Sequence, residues 1–361
     1  MKIPSGFQFA SVNCGLRKER KDLGLIYCEE PATAIGFFTS NANVAYSVDY
    51  CKKNIKNPIK AVLVNSGNAN CFSHKTGLRD TTTLMKKLAE KLKVDEKSLL
   101  FASTGIIGVK LPFDKVADGF APLLSGIGDD FMGFAKSIIT TDKYEKISYA
   151  PVGKSACVLG IAKGAGMICP TMATMLSFVM TDAFVPGPKF KAICREAMEE
   201  SFNSISVDGC MSTNVTLFVL SSKKVILKTS REIEEFTEGL KKVCLDLAKM
   251  MVADGEGASK LIEIAIKNAK SQKEARLGAL AIANSNLFKC AVYGQDANWG
   301  RIIGALGHAG IALTQDAKIT ASDLTKKEVV ITVDLKRGKS NWRFFASDLT
   351  PEYIKINADY N

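Results

Sequence analysis

Residues 163–184 read KGAGMICPTMATMLSFVMTDAF, and no other stretch restricts the chain so much. Met175–Met180 is an apolar run suited to a buried strand. Ahead of it Lys163, Gly164, Gly166 and Pro170 crowd the approach to Ala173–Thr174. Two readings fit. In the first, Gly164 and Gly166 sit in turns, Pro170 sits in a loop, and a strand follows. In the second, the chain cuts itself at Ala173–Thr174 and then uses Thr174 as an N-terminal nucleophile. A threonine hydroxyl is a poor nucleophile, but the α-amino group released on the same residue is a base of pKa about 7.7–8.0 within reach of its own Oγ. Spacing alone favours the first reading.

Composition narrows the class. The 361 residues, 47% of them hydrophobic, suffice for two domains or one large one with a substantial core. MKIPSGFQFASVNCG has no sustained apolar segment, and no run reaches the 18 or so apolar residues of a membrane span. A soluble, cytoplasmic protein is expected. The ten cysteines (14, 28, 51, 71, 157, 169, 194, 210, 244 and 290) form no C-x-x-C pair, and only His74 and His308 could assist them in holding a metal. They read as reduced, mostly buried thiols, with no metal site. The formal charge of +11 is scattered through segments such as KKNIKNPIK and KKLAEKLK, where apolar residues or acids interrupt it. Such segments read as solvated faces, without a nucleic-acid motif, although a mildly positive field would help draw in an anionic amino acid.

Periodicity gives mixed elements. Leu84, Leu88 and Leu92 mark a helix over about 80–93, another opens after Pro188, and Arg231–Met251 is the clearest, with Thr229 and Glu232 as a capping box. Ala61–Asn65, Val215–Leu220, Leu261–Ile266, Val329–Leu335 and Trp342–Ala346 read as strands. The absence of a regular βαβ rhythm favours α+β layers over a doubly wound sheet.

Nine segments, in order, resemble the ornithine acetyltransferase (glutamate N-acetyltransferase) family. Before the run at 163–174 come PSGFQFASV, FFTSN at Phe37–Asn41, VNSGNAN at Val64–Asn70, STGIIG at Ser103–Gly108 and TTD at Thr140–Asp142. After it come VDGCMSTN at Val207–Asn214, DGEGASK at Asp254–Lys260, GQDANWGRI at Gly294–Ile302 and INADY at Ile356–Tyr360. The resemblance implies a layered α/β fold of the N-terminal-nucleophile type. It also implies a cut giving intertwined fragments 1–173 and 174–361 that pair as an α2β2 heterotetramer.

The implied chemistry is ping-pong acyl transfer without a metal or organic cofactor. Thr174 Oγ attacks the Ala173 carbonyl, and the resulting ester is hydrolysed; mature Thr174 then takes the acetyl group of N2-acetylornithine and passes it to glutamate. Acetyl-CoA as a second acetyl donor is compatible with the resemblance. Thr104 and Gly105 match the family's oxyanion hole, although Ser-Thr-Gly alone reads as a turn after the strand-like LLFAS. Lys163, Thr140 or Thr141, Glu256 and Asn357 match substrate contacts: Lys163 for a carboxylate, Glu256 for the ornithine ammonium.

Two departures stand out. The chain stops at Asn361, where the family commonly continues to a terminal threonine or serine that touches substrate. VDGCMSTNVT has Cys210, Met211 and Val215 where more polar residues are usual. Two alternatives compete with acetyl transfer: a self-processing amidase or aminopeptidase in which water resolves the acyl-enzyme, and a non-catalytic binding protein of the same fold.

Overall fold

The computed structural model describes residues 1–169 and 175–359, and among them thirteen strands form two sheets, one in each of two compact units. In chain order they are β1 (Phe7–Val12), β2 (Leu23–Phe38), β3 (Ile59–Asn68), β4 (Leu99–Ile106), β5 (Lys146–Val152), β6 (Ala156–Lys163) and β7 (Leu176–Phe184). There follow β8 (Ile205–Ser206), β9 (Thr216–Ile226), β10 (Leu261–Ala269), β11 (Lys318–Ala321), β12 (Glu328–Asp334) and β13 (Ser340–Ser347).

The first unit holds the order β4-β3-β2-β9-β7-β6-β5, with β1 also on β2. Strand β2 joins the two parts of this sheet. Its first half lies between β1 and β3, with Leu25 opposite Ala10 and Leu63; its second half pairs with β9, with Ile35 opposite Val219. The register against β3 shifts between Tyr27 and Ala32, around Pro31, which has no N–H to give to a ladder. The β3–β4 and β7–β9 pairs are parallel and the others antiparallel, so this is a mixed sheet rather than a doubly wound one. Strands from both sides of residue 174 alternate in it, since β7 and β9 lie between β2 and β6.

Helices cover this sheet where glycines admit them. The helix Phe131–Ile138 lies so close to β2 that a Cβ on Gly24 would fall 2.9 Å from the Phe134 ring. The helix Ser230–Ala253 begins with the expected capping box: Thr229 Oγ1 accepts from Glu232 N at 3.2 Å, and Glu232 Oε2 accepts from Thr229 N at 2.9 Å. Phe236 on that helix stacks on Phe190 of the helix Lys189–Glu200, with ring centroids 5.8 Å apart. The expected helix at 80–93 is Gly77–Leu92, ended by Lys93 in the left-handed region.

The second unit carries the order β11-β12-β10-β13-β8. Ile262, Ile264 and Ile266 of β10 point into one core with Val329, Ile331, Val333 and Phe344, the alternation expected of a sheet with one covered face. The helix Gln272–Ala283 lays Ala275, Ala279 and Ile282 on that core. All five strands expected from periodicity are present as β3, β9, β10, β12 and β13. Six of the ten cysteines are buried, as expected, and burial pushes the thiols of Cys28, Cys51 and Cys244 up to about 12. Among the described residues no helix is long and apolar enough to cross a membrane.

A Cβ on Gly160 of β6 would lie 2.5 Å from Val243 Cγ1 and 2.6 Å from Leu247 Cδ1. Gly160→Ala is expected to cost about 1–3 kcal/mol in urea unfolding through overpacking. Thr229→Ala, which removes one side of the capping box, is expected to cost about 1 kcal/mol.

Candidate active site

Gly105, next to the end of β4, adopts a conformation that a side chain would not tolerate. Its φ is +135°, and a Cβ there would lie 2.3 Å from the Gly67 carbonyl carbon and 2.4 Å from Asn68 N. The Val64–Asn70 and Ser103–Gly108 motifs therefore meet backbone to backbone along the β3–β4 pair. The plain turn that Ser-Thr-Gly taken alone suggests is not formed: Thr104 and Gly105 belong to β4, because the parallel partner β3 runs alongside them to Asn68. Asn214 secures both strand ends, donating from Nδ2 to the carbonyls of Ala69 at 2.6 Å and Ser103 at 2.8 Å. The Phe37–Asn41 motif is tied into the same network, since Thr39 Oγ1 donates to the Ser212 carbonyl at 2.6 Å and Asn41 Nδ2 to the Met211 carbonyl at 3.0 Å. Val215, one of the residues less polar than the family's usual choice, is fully buried next to this network.

Lys163, the last residue of β6, lies among three polar side chains of the same unit. Its Nζ donates to Thr140 Oγ1 at 2.6 Å and to Thr104 Oγ1 at 3.3 Å, and it lies 3.7 Å from Asp142 Oδ2. Asp142 is itself fully buried and accepts from Lys146 Nζ at 2.7 Å, Gly164 N at 2.6 Å and Thr140 N at 3.0 Å. Burial opposes ionisation of that carboxyl, but the charges of Lys163 and Lys146 and the hydrogen bonds from Lys146 and Thr140 N–H outweigh it. They hold Asp142 well below the usual carboxylate range. An ammonium has donors only, so Thr104 Oγ acts as acceptor toward Lys163 and keeps its single proton for another partner. The structure thus brings Thr104, Thr140 and Lys163 together, with Gly105 next to Thr104; Thr141 follows Thr140 and is half-buried. Ala173 and Thr174 lie outside the described residues.

The second unit pairs the other two expected substrate residues. Asn357 Nδ2, on the helix Pro351–Ala358, donates to Glu256 Oε2 at 3.1 Å. Gly257 has φ +69°, and a Cβ there would lie 2.2 Å from Tyr353 N, so the Asp254–Lys260 loop lies directly on that helix. Thr350 fastens the contact by donating to the Gly257 carbonyl at 2.6 Å. Gly166 leaves room for the Glu256 carboxylate: a Cβ there would fall 2.3 Å from Glu256 Oε2. Burial, then Asp208, Cys210 and Glu256, push the Tyr353 phenol up to about 12, so it stays protonated near neutral pH.

Residues 8–361 match the model of the ArgJ family. The chain belongs to that family. It is 40% identical to the arginine biosynthesis bifunctional protein ArgJ of Thermotoga neapolitana, over 100% of both chains. It is 41% identical to the protein of the same name from Syntrophotalea carbinolica, over 99% of this chain and 98% of that one. Among solved structures, ornithine acetyltransferase from Mycobacterium tuberculosis complexed with ornithine matches at 31% identity and a TM-score of 0.44, over 46% of this chain and 92% of that chain.

Sequence reasoning missed Asp142, Lys146 and Asn214 as parts of this candidate site. Asp142 and Asn214 stand inside quoted motifs, yet only the pairing of distant strands reveals what they hold. Lys146 reads as one more surface lysine.

Asp142→Asn leaves two buried ammonium groups without their shared carboxylate and is expected to cost about 3–5 kcal/mol near pH 7. The folded pKa of Asp142 lies below the unfolded value of about 3.9, so the ionised carboxylate stabilises fully above that pH and less as pH falls through the folded value. The stability gap between wild type and Asp142→Asn, followed by urea unfolding, should therefore narrow below pH 4 or so.

Proposed function

We propose that this chain transfers the acetyl group of N2-acetylornithine to glutamate through an ester on Thr174, after cutting itself at Ala173–Thr174. It is an enzyme of the ArgJ family, a glutamate N-acetyltransferase. The reading rests on that membership and on one observation above all: the buried Lys163 ammonium that orients the Thr104 hydroxyl beside Gly105. Acyl transfer passes through a tetrahedral oxyanion, which needs donors already aimed where the charge develops. Thr104 has its hydroxyl proton available because Lys163 occupies it as acceptor, and the Gly105 N–H is the second donor.

In the precursor, Thr174 Oγ attacks the Ala173 carbonyl carbon and the C–N bond breaks. The new amine takes the Oγ proton, and water hydrolyses the ester to leave a carboxylate on Ala173 and a free hydroxyl on Thr174. In the mature enzyme the Thr174 amine removes the Oγ proton as Oγ attacks the acetyl carbonyl, and the proton leaves with the ornithine amine. Glutamate then attacks the ester through its α-amine and departs as N-acetylglutamate. Glu256 with Asn357 is the natural partner for a substrate ammonium, and the positive charge of Lys163 favours a carboxylate. The relatives are named bifunctional, and use of acetyl-CoA as a second acetyl donor is the second activity proposed for this chain. The interleaving of β7 and β9 with earlier strands supports fragments 1–173 and 174–361 staying together after the cut, and their pairing as α2β2 is part of the same proposal.

Intact mass of freshly purified protein should give two pieces, 1–173 and 174–361, and Thr174→Ala should remain whole. A wild type that stays whole removes the proposed base and with it the mechanism. Thr104→Ala should lower kcat for acetyl transfer about 10²–10³-fold, the effect of losing one oxyanion donor. Transfer should also rise with pH through about 7.7–8.0, as the Thr174 amine becomes neutral.

A further inference from the structure

The segment that leads into residues 170–174 is held by one side chain with no role so far. Met167 N donates to Asp208 Oδ2 at 2.5 Å, and Ile168 N donates to Asp208 Oδ1 at 2.9 Å. The same Oδ1 accepts from Cys210 N at 3.0 Å, so one carboxylate binds two neighbouring amides of the incoming segment and one amide of its own loop. The Ile168 carbonyl accepts in return from Val207 N at 2.9 Å. Three residues before Ile168, the Ala165 carbonyl accepts from Glu256 N at 2.8 Å. Residues 165–168 are therefore fixed through amides and carbonyls, and Met167 takes a left-handed φ of +57° that these bonds hold.

The anchor is itself anchored. Val207, next to Asp208, gives its carbonyl to the ammonium of buried Lys289, which also donates to Ser347 Oγ at 3.3 Å. Ser206 Oγ donates to Asn284 Oδ1 at 2.5 Å. The 206–208 strip is thus bound to the helix Asn286–Tyr293, to the residue just ahead of its cap, and to β13. Burial raises the Asp208 carboxyl, its amide donors pull it down and Glu256 raises it again; the net shift is upward. The titratable groups acting on it or near it are Glu256, Cys210, Cys169, Tyr353 and Lys289.

We propose that Asp208 is a positioning residue for self-cleavage: by holding the Met167 and Ile168 amides it sets the place and direction from which the chain enters the Ala173–Thr174 bond. This rests on the self-cleavage reading above. An intramolecular attack depends on the approach of two atoms in one short segment, and a displacement of about 1 Å can cost 10²-fold in rate. Fixing the chain five to six residues upstream of Ala173 removes much of that freedom before the reaction begins.

Asp208→Asn separates positioning from packing. The substituted side chain has the same shape and keeps one acceptor oxygen, but puts an NH2 where one of the two amide-binding oxygens was. The full-length wild type, Asp208→Asn and Gly160→Ala are made by rapid cell-free synthesis, and the fraction of intact chain is followed by gel and intact mass, with urea unfolding of each uncut form in a Thr174→Ala background. The expected result is a half-time of cutting about ten- to a hundredfold longer for Asp208→Asn. Gly160→Ala, destabilised through overpacking but remote from the clamp in sequence, should cut within about twofold of wild type. Asp208→Asn cut at the wild-type rate overturns the proposal while leaving the self-cleavage reading intact. So does equal slowing of Asp208→Asn and Gly160→Ala in proportion to their lost stability. A wild type that is never cut overturns both.

Discussion

One buried carboxylate determines whether the first unit's polar interior is tolerable. Asp142 takes a lysine from its own segment, a lysine from the end of β6 and two backbone amides. Each is a donor that burial would otherwise strip of water, at a cost of several kcal/mol for a charge. With the carboxylate in place, Lys163 is turned toward two threonine hydroxyls and β6 ends where those hydroxyls are. The positions of Thr140, Thr104 and Gly164 follow from the same few bonds.

In each unit the structure uses glycine for access, and in the first it uses asparagine for closure. Gly105 lets β4 touch β3, Gly257 lets a loop touch a helix, and Gly166 leaves space for a carboxylate. Asn214 donates to two carbonyls from distant parts of the chain, Ala69 just past β3 and Ser103 within β4. A buried carbonyl left without a donor costs more than its hydrogen bond would return, so such an amide is a structural fastening.

Much of the fold is legible in the sequence where a local rule governs it. The helix Ser230–Ala253 announces itself by apolar spacing and a capping box, and β10, β12 and β13 by short runs of β-branched and aromatic residues. Strand β2 is not legible: CEEPATAIGFF contains two acids and a proline, and it is a strand because different partners satisfy its two halves. The turn reading of Ser-Thr-Gly fails for a similar reason, since strand pairing over a long sequence distance overrides local turn chemistry. At the site, the residues proposed for direct chemical roles stand in motifs that a family resemblance carries over. Lys146 does not, because nothing near it in sequence distinguishes a fully buried lysine from a solvated one.

The strand order also sets a timetable. Strand β2 leaves the ribosome early but receives its second-half partner only when β9 has been made, with Ala34 waiting for Leu220. Strand β6, which carries Lys163, pairs with β7, and β7 pairs in parallel with β9. Contacts so far apart in the chain carry a large loop-closure entropy and form late. The first unit's sheet therefore cannot close, and its lysine cannot be fully drawn out of water, until residue 226 has emerged. A nascent chain halted before that point would hold the sequence of the site without its geometry.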